Sequence, residues 1–255
     1  MNNYVLDPQI VFIVSLALLW LAAWIGASRF ARVRKQVAQA NEDFRVIQAA
    51  TLTLLALIIG FTFSMALERY DQRNNYEEAE ANAIGTEYMR ADLLPSPAAA
   101  KVRALLARYI EQRVLFYTTR DTGELAKINL AKVKLQNELW AAVTGPAGAN
   151  PTPVMALVVS GMNDVLNSDG YTQAAWWNRI PIAAWAFMFA IALCATLLVG
   201  IGAKSIKTDG YLLPILPVVI SIAFFLIADI DSPRQGVIRV VPQNLLSLAQ
   251  SFQTP

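Results

Sequence analysis

The sequence predicts an all-α integral membrane protein: four transmembrane helices, the second much extended, with a helical bundle outside the bilayer. Three observations carry that prediction. Of 255 residues, 56% are hydrophobic and only 16% charged, whereas a soluble domain carries about 25% charged residues; mean hydropathy is +0.41. Four stretches hold no Asp, Glu, Lys or Arg: Ile10–Ala27, Val46–Leu67, Ile180–Ala203 and Tyr211–Ala228, of 18, 22, 24 and 18 residues. Between the second and third lie 112 residues, Glu68–Arg179, whose apolar positions recur at helical spacing.

At about 1.5 Å per residue, even an 18-residue stretch nearly covers a hydrocarbon core of about 30 Å. No water satisfies backbone groups there, so each stretch is expected to be a helix. Met1–Gln9 carries only Asp7 and lacks the basic start of a secretory signal, which makes the first stretch an expected uncleaved span. Tyr4, Trp20, Trp24, Trp176, Trp177 and Tyr211 lie at or near span ends, as interfacial aromatics do.

From Val46 to Leu94 there is no proline, and glycine occurs only at Gly60 and Gly85, so the second span is expected to run unbroken beyond the bilayer. Pro95-Ser96-Pro97 forces a turn. A second extramembrane helix follows with Val102, Leu105, Leu106, Tyr109 and Ile110, then a break at Thr122-Gly123 and a third with Leu125, Ile128, Leu135 and Leu139. Gly145–Pro153 reads as a loop, and Asn167-Ser168-Asp169-Gly170 as a helix stop and restart. The expected organisation is residues 1–67 for two membrane helices, 68–179 for the extramembrane region, 180–228 for two more, and 229–255 for a tail.

Charge divides along the chain. Glu68–Asp92 holds seven acids and three bases, Lys101–Lys134 eight bases and three acids. Two helices of opposite charge joined by a tight turn point to an antiparallel pair, with two independently solvated faces as the alternative. The short loops hold seven basic residues: Arg29, Arg32, Arg34, Lys35, Arg45, Lys204 and Lys207. Five stand near the spans on the other side: Arg69, Arg73, Arg179, Arg234 and Arg239. That count places the short loops in the cytoplasm and Glu68–Arg179 outside it.

Composition excludes much chemistry. There is no histidine and one cysteine, Cys194, so imidazole bases, imidazole metal sites, disulfides and thiolate zinc cages are absent. A net charge of +2 gives no footprint for nucleic acid. No phosphate-binding loop or dinucleotide fingerprint occurs. Glu77, Glu78, Glu80 and Glu87 could hold a hard cation, but an arginine-paired helix face explains them more simply. No enzyme activity, cofactor or metal is expected.

Two stripes on the second span stand out. Thr51, Leu55, Ile58 and Thr62 fall near one azimuth, and Thr53, Gly60 and Ser64 lie about 160° away. The first is expected to line a pore and the second to seat a neighbouring helix; two packing seams are the alternative. Asp229 and Asp231, after the fourth span, are candidates for a pore mouth, or else mark a helix end emerging into water. At i and i+2 they point about 200° apart.

Three segments carry a resemblance. Gly60-Phe61-Thr62-Phe63-Ser64-Met65-Ala66, with Arg69-Tyr70-Asp71 and Glu78-Ala79-Glu80-Ala81-Asn82-Ala83-Ile84-Gly85-Thr86, resembles the signature of the bestrophin-like family of mostly bacterial four-span membrane proteins. Ala228-Asp229-Ile230-Asp231-Ser232-Pro233-Arg234 is similar to its second signature. Through the more distant bestrophins proper, the resemblance implies a ring-shaped homo-oligomeric anion channel with the second span lining the pore. It also implies that Glu68–Arg179 and both termini are cytoplasmic, opposite to the charge count. The expected function is thus a homo-oligomeric, anion-conducting channel in the inner membrane, multi-pass, in contact with lipid and small inorganic ions. The alternative is a non-conducting scaffold or sensor whose helical region binds a partner.

Overall fold

The computed structural model describes residues 7–29, 41–203 and 212–253. Among them every regular element is helical. The chain divides into two compact units, one formed by Met1–Glu68 with Arg179–Ile238, the other by Arg69–Asn178 with Arg239–Pro255.

The first unit holds α1 (Pro8–Arg29), the N-terminal part of α2 (Asn41–Arg90), α6 (Ile182–Gly202) and α7 (Ile215–Asp231). α1 packs along both α6 and α7. At the α1–α6 contact the two backbones touch. A Cβ on Gly26 would strike the Leu197 carbonyl and the backbone of Gly200 and Ile201; one on Gly200 would strike the Ala23 carbonyl. Ala23, Ala27, Ala192, Ala195 and Thr196 are buried around them, the small-residue seam that substitutes for hydrophobic driving force in lipid. Toward the other end, Phe224 packs between Phe189, at 4.9 Å between ring centroids, and Trp185, at 6.2 Å.

Among the described residues, three segments are long and apolar enough to cross a bilayer: Pro8–Arg29, Glu42–Leu93 and Pro153–Gly202. The last is broken at residues 178–181, and its uncharged part is α6. α7 has 17 residues, or about 26 Å. The expected fourth span began at Tyr211, which lies outside the described residues; the helix itself starts at Ile215 because Pro214 caps it after a turn. Arg32, Arg34, Lys35, Lys204 and Lys207, which the charge count used, and Tyr4 among the interfacial aromatics, also lie outside the described residues.

The second unit holds the rest of α2, a 3-10 turn at Ala91–Leu93, and α3 (Ser96–Thr118), α4 (Thr122–Ala149), α5 (Pro153–Trp177) and α8 (Gln243–Ser251). α2 is continuous for 50 residues. Asp121 caps α4, accepting from the Glu124 amide at 2.7 Å. The α2–α3 turn brings opposite charges together, with Arg113 on Glu80 and Arg103 on Asp92. Two expected breaks are not there. α4 continues to Ala149 with Pro146 inside it, since a proline four residues from the end removes only one amide from the ladder. α5 runs through residues 167–170 because Asp169 is held by α3 and α4 and Ser168 donates to the Val165 carbonyl at 2.7 Å.

Gly26→Val is expected to push α1 off α6 and lower stability by about 1–3 kcal/mol. Thermal unfolding in detergent measures it, with Gly60→Val as the control, since a Cβ at Gly60 meets nothing within 4 Å.

Candidate functional site

α2 shows its two stripes to different surroundings. Leu55 and Thr62 are 3% and 7% exposed, Thr51 and Ile58 are half-buried, and the line continues through buried Ala66 and Arg73. The Thr51 and Thr62 hydroxyls donate to their own helix, at the Ile47 and Ile58 carbonyls, both at 2.8 Å. The stripe expected to face a lumen is therefore the one this chain buries, because an apolar helix in a membrane carries no polar face to mark its outside. Thr53, Gly60 and Ser64 are exposed, and nothing lies within 4 Å of a Cβ built on Gly60. Among the described residues they seat no helix. Leu57 shares their azimuth and is 52% exposed, with Phe61 beside it at 70%. Close helix packing instead occurs at Gly26 and Gly200, which small residues four apart (Ala23 and Ala27; Ala192, Thr196 and Gly200) would have signalled.

The two aspartates in the last turn of α7 go to different partners. Asp229 is buried and accepts from the Val237 and Ile238 amides, both at 2.8 Å. Gly236 lies so close to the Asp229 carbonyl that a Cβ there would collide with it. Asp231 accepts the Ile180 amide at 3.1 and 3.2 Å, tying the segment before α6 to the end of α7. Both expected pore-mouth carboxylates thus organise backbone: one folds the loop that follows, the other clasps an interhelical segment. A cavity of about 30 Å³ beside Asp231, lined also by Arg179, Trp185 and Ser232, has room for about one water. Burial pushes the Arg179 guanidinium pKa down, opposed by the Asp231 charge.

In the second unit, α2 turns Arg73, Glu77, Glu80, Ile84 and Glu87 inward. Arg73 donates to the Ala175 and Asn178 carbonyls, each at 3.3 Å. Glu77 holds the start of α8, accepting from the Leu245 amide at 2.9 Å and from Asn244 at 2.7 Å. Glu80 pairs with Arg113 and accepts from Thr172 at 3.1 Å. Arg113 reaches Asp169 at 2.6 Å, and Asp169 also takes Lys132 at 2.8 Å and Gln136 at 3.0 Å. Burial alone pushes the Arg113 pKa down; Glu80 and Asp169 more than reverse that and keep it charged. Among the described residues no three metal-ligating side chains converge.

A family model described as a bestrophin-like domain matches residues 13–245. The chain belongs to the bestrophin-like family. A bacterial bestrophin homologue from Klebsiella pneumoniae, solved with a single-residue mutation, superposes with a TM-score of 0.64 at 15% identity, covering 94% of this chain and 97% of that one. Another structure of that homologue, phased on zinc, gives a TM-score of 0.62 at 16% identity, with 93% and 98% covered. At such identity the likeness is one of fold. No curated protein matches the chain.

In this bestrophin-like protein the signature residues divide by face. Glu80 and Ile84 point into the helical unit and Arg73 and Glu77 join them, whereas Asp71, Glu78 and Asn82 stay exposed. Asp229 and Asp231 of the second signature anchor backbone. The inward residues recur every three to four positions through the acidic stretch, a pattern readable in sequence; their partners, 33 to 168 residues away, are not.

Arg113→Met is expected to leave Glu80 and Asp169 buried without a shared cation and to cost about 3–5 kcal/mol. Arg113→Lys recovers only part, since an ammonium cannot span both carboxylates as a guanidinium does; chemical denaturation of the three proteins gives the comparison. Asp229→Asn removes one of two charged acceptors and is expected to cost about 1.5–3 kcal/mol. Its readout is faster amide exchange at Val237 and Ile238.

Proposed function

We propose that this bestrophin-like chain is the subunit of a homo-oligomeric ion channel in the inner membrane, each subunit contributing four membrane helices, with α2 beside the ion path. The observation that carries this reading is how little of α2 the chain itself uses. Only 11% of its apolar window is buried, against 39% for α1. A helix left that open needs neighbours, and assembly of α2 helices around an axis supplies both neighbours and a lumen.

The azimuth opposite the buried stripe is the best candidate for that lumen. It carries Thr53, Leu57, Gly60 and Ser64, a narrow apolar line interrupted by hydroxyls. A lining of this kind gates by wetting and dewetting rather than by fixed charge. Small inorganic ions are the substrate class, and the family's relation to bestrophins proper favours anions.

The test uses protein reconstituted in vesicles, with Cys194, the lone and exposed cysteine, replaced by serine. Cysteines are placed singly at Ser64 and at Thr62. Halide flux is expected from the parent, blocked by a charged thiol reagent at Ser64→Cys and unaffected at Thr62→Cys. Block at Thr62→Cys alone would return the lumen to the buried stripe. A stable monomer by mass measurement would overturn the assembly, and a stable oligomer without flux would favour the scaffold reading.

A further inference from the structure

The mechanism above leaves one buried acid unused. Glu87 stands on the extramembrane part of α2 and is fully buried. Neither carboxylate oxygen has a hydrogen-bond partner. The carboxylate is pressed on the backbone of Gly161 in α5, where a Cβ would collide with Oε2 of Glu87 and Nη1 of Arg90. Gly161 is thus the residue that makes room for an acid. Arg90, one turn along α2, is the cation whose charge Glu87 senses, and it donates to the Leu157 carbonyl of α5 at 3.5 Å rather than to the carboxylate. Asp164 on α5 is the other charge that Glu87 senses.

This arrangement suits a neutral carboxyl and penalises a charged one. A buried carboxylate without donors costs far more than the acid it comes from. Its neighbours Glu77 and Glu80 each have two or more donors, so the deficit belongs to Glu87 alone among the inward acids of α2. We propose that Glu87 is a proton-operated latch: protonated, it stays seated on Gly161 with α5 flush against α2, and deprotonated, it leaves that seat and the contact opens.

The direction of the pH dependence follows. Burial raises the Glu87 pKa from the ordinary 4.5 to about 8; Arg90 opposes this and Asp164 adds to it. In the unfolded chain the acid ionises near its ordinary value. The folded chain therefore binds more protons between those limits, and stability falls as pH rises through the window. The latch is fully closed below the lower limit and released above the upper one. No histidine exists in the chain to titrate in the same interval. The device goes beyond the channel reading and does not depend on it, since it concerns one helix contact within the second unit.

The experiment uses the full-length protein in detergent and needs no flux. Infrared spectra of the native protein are titrated from about pH 6 to 9, spanning the interval in which the shifted acid ionises. The carbonyl stretch of a protonated carboxylic acid should vanish with a midpoint near the raised value, and Glu87→Gln should lack that band. Thermal unfolding should show the native protein losing midpoint temperature relative to Glu87→Gln as pH rises. Amide exchange in α5 around Gly161 should accelerate in the native protein only. Gly161→Ala, which takes the space of the carboxylate, should abolish the pH dependence while keeping the acid. A titrating band that persists in Glu87→Gln, or no band at all in the native protein, overturns the proposal. So do parallel pH–stability profiles. If Glu87→Gln does not fold, the native band together with Gly161→Ala decides.

Discussion

The second helical unit is organised around one buried cation. Arg113 sits beyond the reach of solvent, and a guanidinium taken out of water is tolerable only if its charge and donors are met nearby. Meeting them recruits every long helix of the unit: Glu80 from α2, Lys132 and Gln136 from α4, Asp169 and Thr172 from α5, with the Phe116 ring of α3 4.6 Å beneath the guanidinium. Two cations and two anions leave the cluster neutral. Because each member is oriented by another, the relative rotation of four helices is specified at a single point, which an apolar core of leucines alone does loosely. The apolar shell of Val102, Leu106, Leu139, Met162 and Val165 then fills the space this geometry leaves.

The first unit is held differently. α1, α6 and α7 meet through contact between backbones and through interlocked aromatic rings, the means open to helices as apolar as these. Their buried carboxylates stand in the last turn of α7, where backbone amides meet them. One unit is thus fixed by charge and the other by shape. α2 belongs to both, with a sequence that changes from uncharged to acidic at Glu68.

Much of this was legible in the sequence, for identifiable reasons. The apolar stretches stand out because a charge is too costly to place in lipid, and the continuity of α2 because no proline interrupts it. The acidic and basic segments predicted the α2–α3 pairing, since opposite charges joined by a forced turn have few other places to go. Illegible were the features set by distant residues. Asp169 and Gly170 have local preferences for a stop, and only Arg113 and Lys132 from other helices explain why α5 ignores them. The two α2 stripes were legible as stripes, but not which one faces inward. In water the polar side of a helix gives that answer; in a bilayer both sides are apolar, so periodicity fixes an axis without a sign. Small residues four apart mark a seam on each of α1 and α6, but that Gly26 meets Gly200 is set only when the two helices are placed together.

That glycine pair also bears on how the protein is made. Gly26 and Gly200 lie 174 residues apart, so at about 5–20 residues per second the first helix waits on the order of ten to thirty seconds for its partner to be synthesised. During that interval its groove of small residues, built for intimate contact with another backbone, is bordered only by lipid or by whatever helix drifts past. The α2 segment that follows it presents bulky, exposed Leu57 and Phe61 beside the open position at Gly60. A wrong early partner within the same chain is thereby a poor fit. The nascent first span is kept vacant for the one helix, arriving late, whose glycine can meet its own.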